Sequence, residues 1–510
     1  MKKLSNLLSI CIIFFTLTNF AHAQIILPTV AETLASSTTG TVHTMNCDMV
    51  ECPMFSNQLL KAIAWDEASG STYNTNIFIE LNGTPIGSVI NIPNGVYPDI
   101  VIGDNLSNPG NEYIVAVVYM IYGNPTHTTY IQTYNVDLNA LTVTPNPLGP
   151  VQMSSTGANV KYTHIDLFAD NINQIAGLPS LHKFVACWEG TIYNAVIGDI
   201  NNITSFTATF LPVIGASDVA ACTDASNNDY ACFVYGGTTG GVEIWDVTGS
   251  PIWSSSPTMT FAGDYPRIEA MNLYGGTSYA MFMAVGSENI GTGTRINYAS
   301  DLASGSSFTG TYAPVTSTPE APAIAAGVGI AFGNAANIGN SQYTYDFNYI
   351  FTPSDILAQD LDISTSVPAS ITTYWQVNNS ATPILGGGPY AAHAISSSSN
   401  SGLGLLTAYT DGSNVYYKVT SLSTFGFKTT TVNKIDNKTG FSVYPNPASD
   451  YINVNAPAGS VLTIMDVTGK QYIQTISTGK SIDIKDLPAG LYLVKVNGKS
   501  VTETLKFTKN

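Results

Sequence analysis

The chain has 510 residues, of which only 10% are charged, and its 28 tyrosines, 44 glycines and 44% apolar content describe a β-rich protein without long helices. The formal net charge is −17, and residues 24–440 carry nine basic against thirty acidic side chains. Arg267 and Arg295 are the only arginines in that body, so the clustered cations that phosphate binding needs are absent and nucleic acid is excluded as a partner.

At the start of the chain, Lys2 and Lys3 precede the apolar run Leu7 to Phe15, and Ala21-His22-Ala23 supplies small residues where a signal peptidase reads them. This predicts a secretory signal peptide over 1–23 and a mature start at Gln24. Cys11 lies inside the apolar run behind Ile10, which argues against a lipoprotein. No later stretch approaches about 20 uninterrupted apolar residues, so no transmembrane segment is expected.

The body, 24–428, repeats one pattern: a short strand, a polar turn, a strongly apolar strand and a third, alternating strand. Tyr97-Pro98-Asp99-Ile100 parallels Tyr265-Pro266-Arg267-Ile268. Second strands are read at Lys61 to Trp65, Ile114 to Tyr119, Phe184 to Trp188, Cys232 to Tyr235, Tyr279 to Val285 and Leu405 to Tyr409. Aligning first strands gives seven anchors, His43, Asp99, His164, Asp218, Arg267, Ala323 and His393, spaced by 56, 65, 54, 49, 56 and 70 residues. That spacing accommodates four short strands per unit, and the fold expected is all-β: a seven-bladed β-propeller, with six or eight blades left open because 319–364 is irregular. The last unit offers three strands, whereas Ile25 to Leu34 is a spare extended segment that would close the ring by pairing with it, Pro28 being tolerated on an outermost strand.

If the anchors occupy equivalent places, His43, Asp99, His164, Asp218, Arg267 and His393 form a ring at one mouth of the central channel. Imidazoles and carboxylates there suit a transition metal or an anionic or sugar ligand, although a register shift of one residue would turn any of them to the opposite face. The more ordinary reading is a polar lining. Cofactor and metal stay unassigned, and the catalytic set is empty: no HExxH, GxSxG, GxxxxGK or DxDxDG motif is present. Gly386-Gly387-Gly388-Pro389 reads as a turn, and Asp99 to Asn111, although acidic and rich in Asn, lacks the alternating ligands of a calcium loop. Trp188, Trp245, Trp253, Tyr274 and Trp375 read as packing before sugar platforms. Five cysteines follow the leader; Cys47 with Cys52 and Cys222 with Cys232 are the pairs near enough in sequence for disulfides, with Cys187 a buried thiol.

After a Thr-rich linker at 429–440, residues 441–510 place several elements in a fixed order. Tyr444-Pro445-Asn446-Pro447 opens the segment, Met465-Asp466-Val467-Thr468-Gly469-Lys470 supplies turn chemistry after an alternating strand, and Leu487-Pro488-Ala489-Gly490-Leu491-Tyr492 turns into the next; Lys506 and Lys509 end it. Locally these read as a small β-sandwich. The ensemble resembles the type A C-terminal sorting domain of the type IX secretion system of Bacteroidetes. The resemblance implies that Pro445, Asn446, Pro447, Asp466, Gly469, Leu487, Pro488, Gly490, Tyr492 and Lys506 form the sorting motif. It also implies the translocation machinery as a partner and a location outside the cell, released or attached to the outer surface.

Two functions fit the whole: a secreted or surface-attached propeller that binds a glycan or protein ligand, and an extracellular hydrolase or lyase acting on polysaccharide or peptide. They differ in geometry, because an enzyme needs His and Asp converging in an open pocket, whereas a binder needs an exposed aromatic or polar face.

Overall fold

The computed structural model describes residues 24–26, 33–38, 40–55, 58–123, 127–154, 161–168, 182–189, 194–210, 218–223, 228–235, 237–247, 254–255, 259–273, 279–289, 294–304, 307–314, 328–332, 342–352, 355–364, 368–369, 373–376, 393–397, 405–420, 442–444, 448–456, 459–466, 470–478, 481–497 and 502–509. The leader with Cys11, Pro28, Ala323, the turn 386–389, Trp253, Tyr274, the linker 429–440, Pro445 to Pro447 and Gly469 lie outside them. Apart from a single 3-10 turn, Pro53–Phe55, the described secondary structure is strand. Two compact units divide the chain, Met1–Thr429 and Thr430–Asn510.

In the first unit the strands form successive antiparallel sheets whose first strands are Thr41–Cys52, Gly95–Asp104, Lys161–Leu167, Asp218–Thr223, Met259–Leu273, Val328–Phe332 and His393–Ser397. Each of these contacts the first strand of the next sheet, and His393–Ser397 returns to Thr41–Cys52. A closed ring of inner strands, each the edge of a sheet that radiates outward, defines a β-propeller. The apolar second strands are buried on both faces: Glu112–Ile121 has eight consecutive buried residues, and Ala62 to Trp65 are at most 1% exposed. Their side chains fill the spaces between neighbouring sheets. Trp65 packs between the last and first sheets, Trp188 between the second and third, and Trp245 between the third and fourth. The side chain of Trp375 lies outside the described residues.

Met259–Leu273 serves two sheets. Its first half pairs with Gly237–Asp246 as the outer strand of the fourth, and from Asp264 onward it pairs with Tyr279–Asn289 as the inner strand of the fifth. The ends of the body meet, but through a later segment than the expected 25–34: Thr33–Ser37, which shares only Thr33 and Leu34 with it, pairs antiparallel with Asn414–Thr420 and completes the last sheet. Gln24–Ile26 goes elsewhere, lying parallel to Thr373–Gln376 on the sixth sheet.

The cysteine pairings are corrected by this register, and all five described cysteines are thiols. Cys47 and Cys52 lie on one extended strand, five residues or roughly 16 Å apart. Cys222 sits opposite Tyr230 and Cys232 opposite Ala220, two places out of register for a disulfide. Both pack in the core between the fourth and fifth sheets.

The second unit sets a three-stranded sheet (Ser442–Tyr444, Tyr451–Asn455, Ile482–Asp483) and a four-stranded one (Gln471–Ile476, Val461–Asp466, Gly490–Asn497, Thr502–Lys509) around one core containing Ile452, Ile464, Val494 and Phe507. The Leu487 to Tyr492 segment owes its pattern to this core. Leu487 is buried, the Tyr492 hydroxyl donates back to the Pro488 carbonyl at 2.9 Å, and the Tyr492 ring stacks on Phe507 at 5.6 Å. Asp466 accepts the Lys470 N–H at 3.1 Å and the Tyr472 hydroxyl at 3.2 Å, closing its turn. Lys506 lies opposite Leu493 on the last strand.

Candidate functional site

Inner strands expose one row of backbone N–H groups to the ring axis, and these need acceptors. Carboxylates from the preceding sheet supply them. Asp48 accepts the Ile102 N–H at 2.6 Å, Asp99 that of Ile165 at 3.1 Å, Asp166 that of Ala221 at 2.7 Å and Asp218 that of Ile268 at 3.0 Å. Each also accepts the N–H of its own successor, Met49, Ile100, Leu167 or Val219. Two of the six ring candidates, Asp99 and Asp218, are therefore ties between sheets, and Asp48 and Asp166 belong to the same series. Burial raises Asp218, and it raises Asp166 and Glu269 well above the usual carboxylate range, mutual repulsion with neighbouring carboxylates adding to the effect.

His164 stands between two of these ties, its Nδ1 3.6 Å from Asp99 and 3.4 Å from Asp218. Arg267 approaches Asp218 at 3.8 Å and donates to Asn46 at 3.0 Å. The structure thus brings together four of the candidates: Asp99, His164, Asp218 and Arg267. Asp99, His164 and Asp218 offer ligand atoms within 4.8 Å of one another. These carboxylates are already committed to backbone N–H groups, with the Arg267 guanidinium beside Asp218, and the bonds tie the sheets to one another. His393 begins the last inner strand opposite Tyr409; its side chain lies outside the described residues.

His43 stands apart, because it lies inside the bulge of its strand, whereas Asp99, His164 and Arg267 follow the bulges of theirs. Opposite Asp66, where one residue would normally sit, the first inner strand places both His43 and Thr44. The second strand bulges at Tyr97-Pro98, the third at Tyr162 and the fifth at Tyr265-Pro266. A bulge re-aims a side chain and tightens the local twist. At Tyr97 and Tyr162 it also holds bulky residues in the left-handed region, with φ of 52° and 45°. Such backbone persists only where surroundings impose it. Here Asp66 accepts the Tyr97 N–H at 3.3 Å, Thr163 Oγ1 donates to the Tyr97 carbonyl at 2.6 Å, and Asn46 donates to the Pro98 carbonyl at 2.8 Å.

Beside these bulges lies a cavity of about 220 Å³ lined by Tyr73, Tyr97, Tyr122, Tyr162, His43 and His127, with Asp66 at its base. Its rings touch in series: His43 to Tyr73 at 5.7 Å, Tyr73 to Tyr122 at 4.7 Å, Tyr122 to His127 at 5.1 Å, and Tyr97 to Tyr162 at 4.7 Å. Asp66 accepts the Thr44 N–H at 2.6 Å and hydroxyl at 2.7 Å, and its carboxylate lies 3.9 Å from His43. Burial raises the Asp66 carboxyl above its ordinary range, opposed by the Thr44 hydroxyl. The tyrosines come from a third strand, two bulges and a loop, which is why strand alignment alone did not find them; the repeated Tyr-Pro before Asp99 and Arg267 was the visible part of the signal.

The Asn-rich loop after Asp99 is held by hydrogen bonds of its own side chains. Glu112 accepts from Asn105 at 2.9 Å, Asn108 at 2.9 Å and Asn135 at 2.6 Å, so it ties the loop both to itself and to the strand Thr128–Asp137.

Comparison with known proteins gives a decisive result for one segment. Residues 442–510 match the secretion system C-terminal sorting domain. The tail is an export address, and it directs the chain through type IX secretion to the cell surface or beyond. A search of curated proteins gave no match. Among solved structures the chain is similar to the β-propeller domain of the Trilobed protease from Pyrococcus furiosus, at 8% identity and TM-score 0.32, covering 76% of this chain and 97% of that one. It is also similar to the WD40 domain of SCAP from fission yeast (7%, 0.37, covering 79% and 98%) and to the Nup133 β-propeller domain of Vanderwaltozyma polyspora (9%, 0.35, covering 76% and 100%). At these scores the assignment of the fold rests on the strand pairing described above. Among the described residues no helix is long and apolar enough to cross a membrane.

Proposed function

We propose that this protein is an exported ligand-binding module: a seven-bladed propeller carried by a β-sandwich sorting domain, freed of its leader after Ala23 and either attached to the outer surface or released. The observation that carries the reading is the tyrosine-lined cavity, whose walls are held by strained bulges at Tyr97 and Tyr162. Rigid inner strands supporting aromatic side chains at one face form a binding platform, and strained backbone of this kind clusters at functional sites, ligand clamps among them. Binding is favoured over hydrolysis because His164 is 3% exposed, its partner carboxylates are occupied by backbone donors, and His43 stands beyond hydrogen-bond reach of Asp66.

The export half is tested by deleting 442–510: the body should fold and remain in the periplasm, and its appearance in the medium would overturn the assignment. The binding half is tested by screening the purified chain against glycan, protein and small-molecule panels with Tyr122→Leu as control. A ligand whose capture depends on Tyr122 is expected, and the reading falls if every ligand found is indifferent to it.

A further inference from the structure

We propose that the cavity beside the bulges takes a quaternary ammonium group, the head of a choline-like or betaine-like compound. The inference rests on the binding-module reading and names the class of ligand for that same cavity.

Three observations point to a cation without N–H groups. The first is the wall: four tyrosine rings and two imidazoles surround about 220 Å³. Aromatic π-systems attract cations, and desolvated cages of them recognise methylated ammonium. The second is charge. Asp66 lies at the base, no lysine or arginine is among the described residues that line the cavity, and residues 24–440 carry twenty-one more acidic than basic side chains. A cation is drawn to such a site, and an anion is turned away.

The third is the state of Asp66. Its two oxygens already accept from Thr44 N, Thr44 Oγ1 and Tyr97 N, so much of its hydrogen-bonding capacity is spent. Its hydrogen-bond donors are neutral, so within the cavity its charge is opposed only by the His43 imidazole at 3.9 Å, at the limit of an ion pair. A sugar or a primary amine draws its strength at a carboxylate from direct O–H or N–H bonds to it, and Asp66 has little of that capacity left. A quaternary ammonium needs neither: it uses the field of the carboxylate and the faces and hydroxyls of the rings.

The test is calorimetric titration of the full chain with choline, and with 3,3-dimethylbutan-1-ol, which has the same shape and no charge. Choline should bind, and the neutral isostere should bind at least about tenfold more weakly. Tyr122 is 50% exposed, so its substitution spares the core. Tyr122→Leu should weaken choline by about tenfold, and Tyr122→Phe should retain it. Equal binding of the isostere, no effect of Tyr122→Leu, or no binding of choline by a folded chain each overturns the inference. If choline fails while a glycan binds in a Tyr122-dependent manner, the ammonium proposal falls and the binding-module reading stands. If every ligand ignores Tyr122, both fall.

Discussion

The Asp166 carboxylate, on the third inner strand, accepts the backbone N–H of Ala221 on the fourth at 2.7 Å, across the gap between two sheets that share no strand-to-strand pairing there. The same bond joins Asp48 to Ile102, Asp99 to Ile165 and Asp218 to Ile268. Hydrophobic packing holds neighbouring sheets together without fixing their height along the axis, whereas a directional bond to one N–H does.

Asp166→Ala should therefore destabilise the body by about 1–3 kcal/mol, the cost of leaving a buried donor without its acceptor. Asp166→Asn keeps an acceptor and should recover a large part of that loss. Urea unfolding of the three proteins checks it; equal midpoints for wild type and Asp166→Ala would remove the tie from the account.

Acidity should stabilise the body. Burial raises the carboxyls of Asp166, Glu269 and Asp218 in the folded state, so between their unfolded and folded pKa values the native protein holds more protons than the unfolded chain. Their contribution is complete below the unfolded values and is lost as pH rises through the folded ones. The melting temperature should be higher near pH 5 than at pH 8, and Glu269→Gln should flatten the slope. A melting temperature that climbs from pH 5 to pH 8 contradicts this.

Lys61 and Glu80 form an ion pair within the first sheet, both almost fully buried, with Lys61 5.9 Å from the ring centre of Tyr417 on the last. Replacing one partner leaves a buried charge alone, so Lys61→Met should cost about 3–5 kcal/mol. Lys61→Met combined with Glu80→Leu should cost much less than the sum of the single changes. A double-mutant cycle read by denaturant unfolding gives the coupling directly, and strict additivity would show that the pair does not interact.

In the tail, Tyr492→Phe removes the hydrogen bond to Pro488 and preserves the stack on Phe507, a loss of about 0.5–1.5 kcal/mol. Tyr492→Ala removes both and should cost about 3–5 kcal/mol. Hydrogen exchange over 490–497 and 502–509 in the full chain should rise slightly in the first variant and strongly in the second. Equal protection in both would mean that the ring contributes nothing.

The strands were legible because their pattern is local. Phe184 to Trp188 and Ile114 to Tyr119 are apolar on both faces, as strands buried between two sheets must be, and Thr129 to Val136 alternates. That the ring closes through a segment near its start was legible for a related reason, one sheet lacking a strand and one segment lacking a sheet, but the residues that pair, Thr33–Ser37, overlap the expected 25–34 only at Thr33 and Leu34. Side-chain direction was harder, because a bulge shifts the period by one residue and leaves no mark except its turn residues. Thus His43 aligned with Asp99 in sequence yet faces the tyrosine cavity, while Asp99 faces His164. Asp48 and Asp166 carry no mark in the sequence, because a single carboxylate followed by an apolar residue, as in Asp48-Met49 or Asp166-Leu167, looks like an ordinary strand edge. Its meaning depends on an N–H more than fifty residues away.

The pairing of Thr33–Ser37 with Asn414–Thr420 gives the body a sense of completion in time. A chain synthesised from its N-terminus must keep Thr33–Ser37 waiting through nearly four hundred residues before its partner arrives. Only after that partner comes the address read for export, at 442–510. The order of segments therefore places the address after the closing strand, so that a chain able to show it already contains every strand that pairs to shut its own ring.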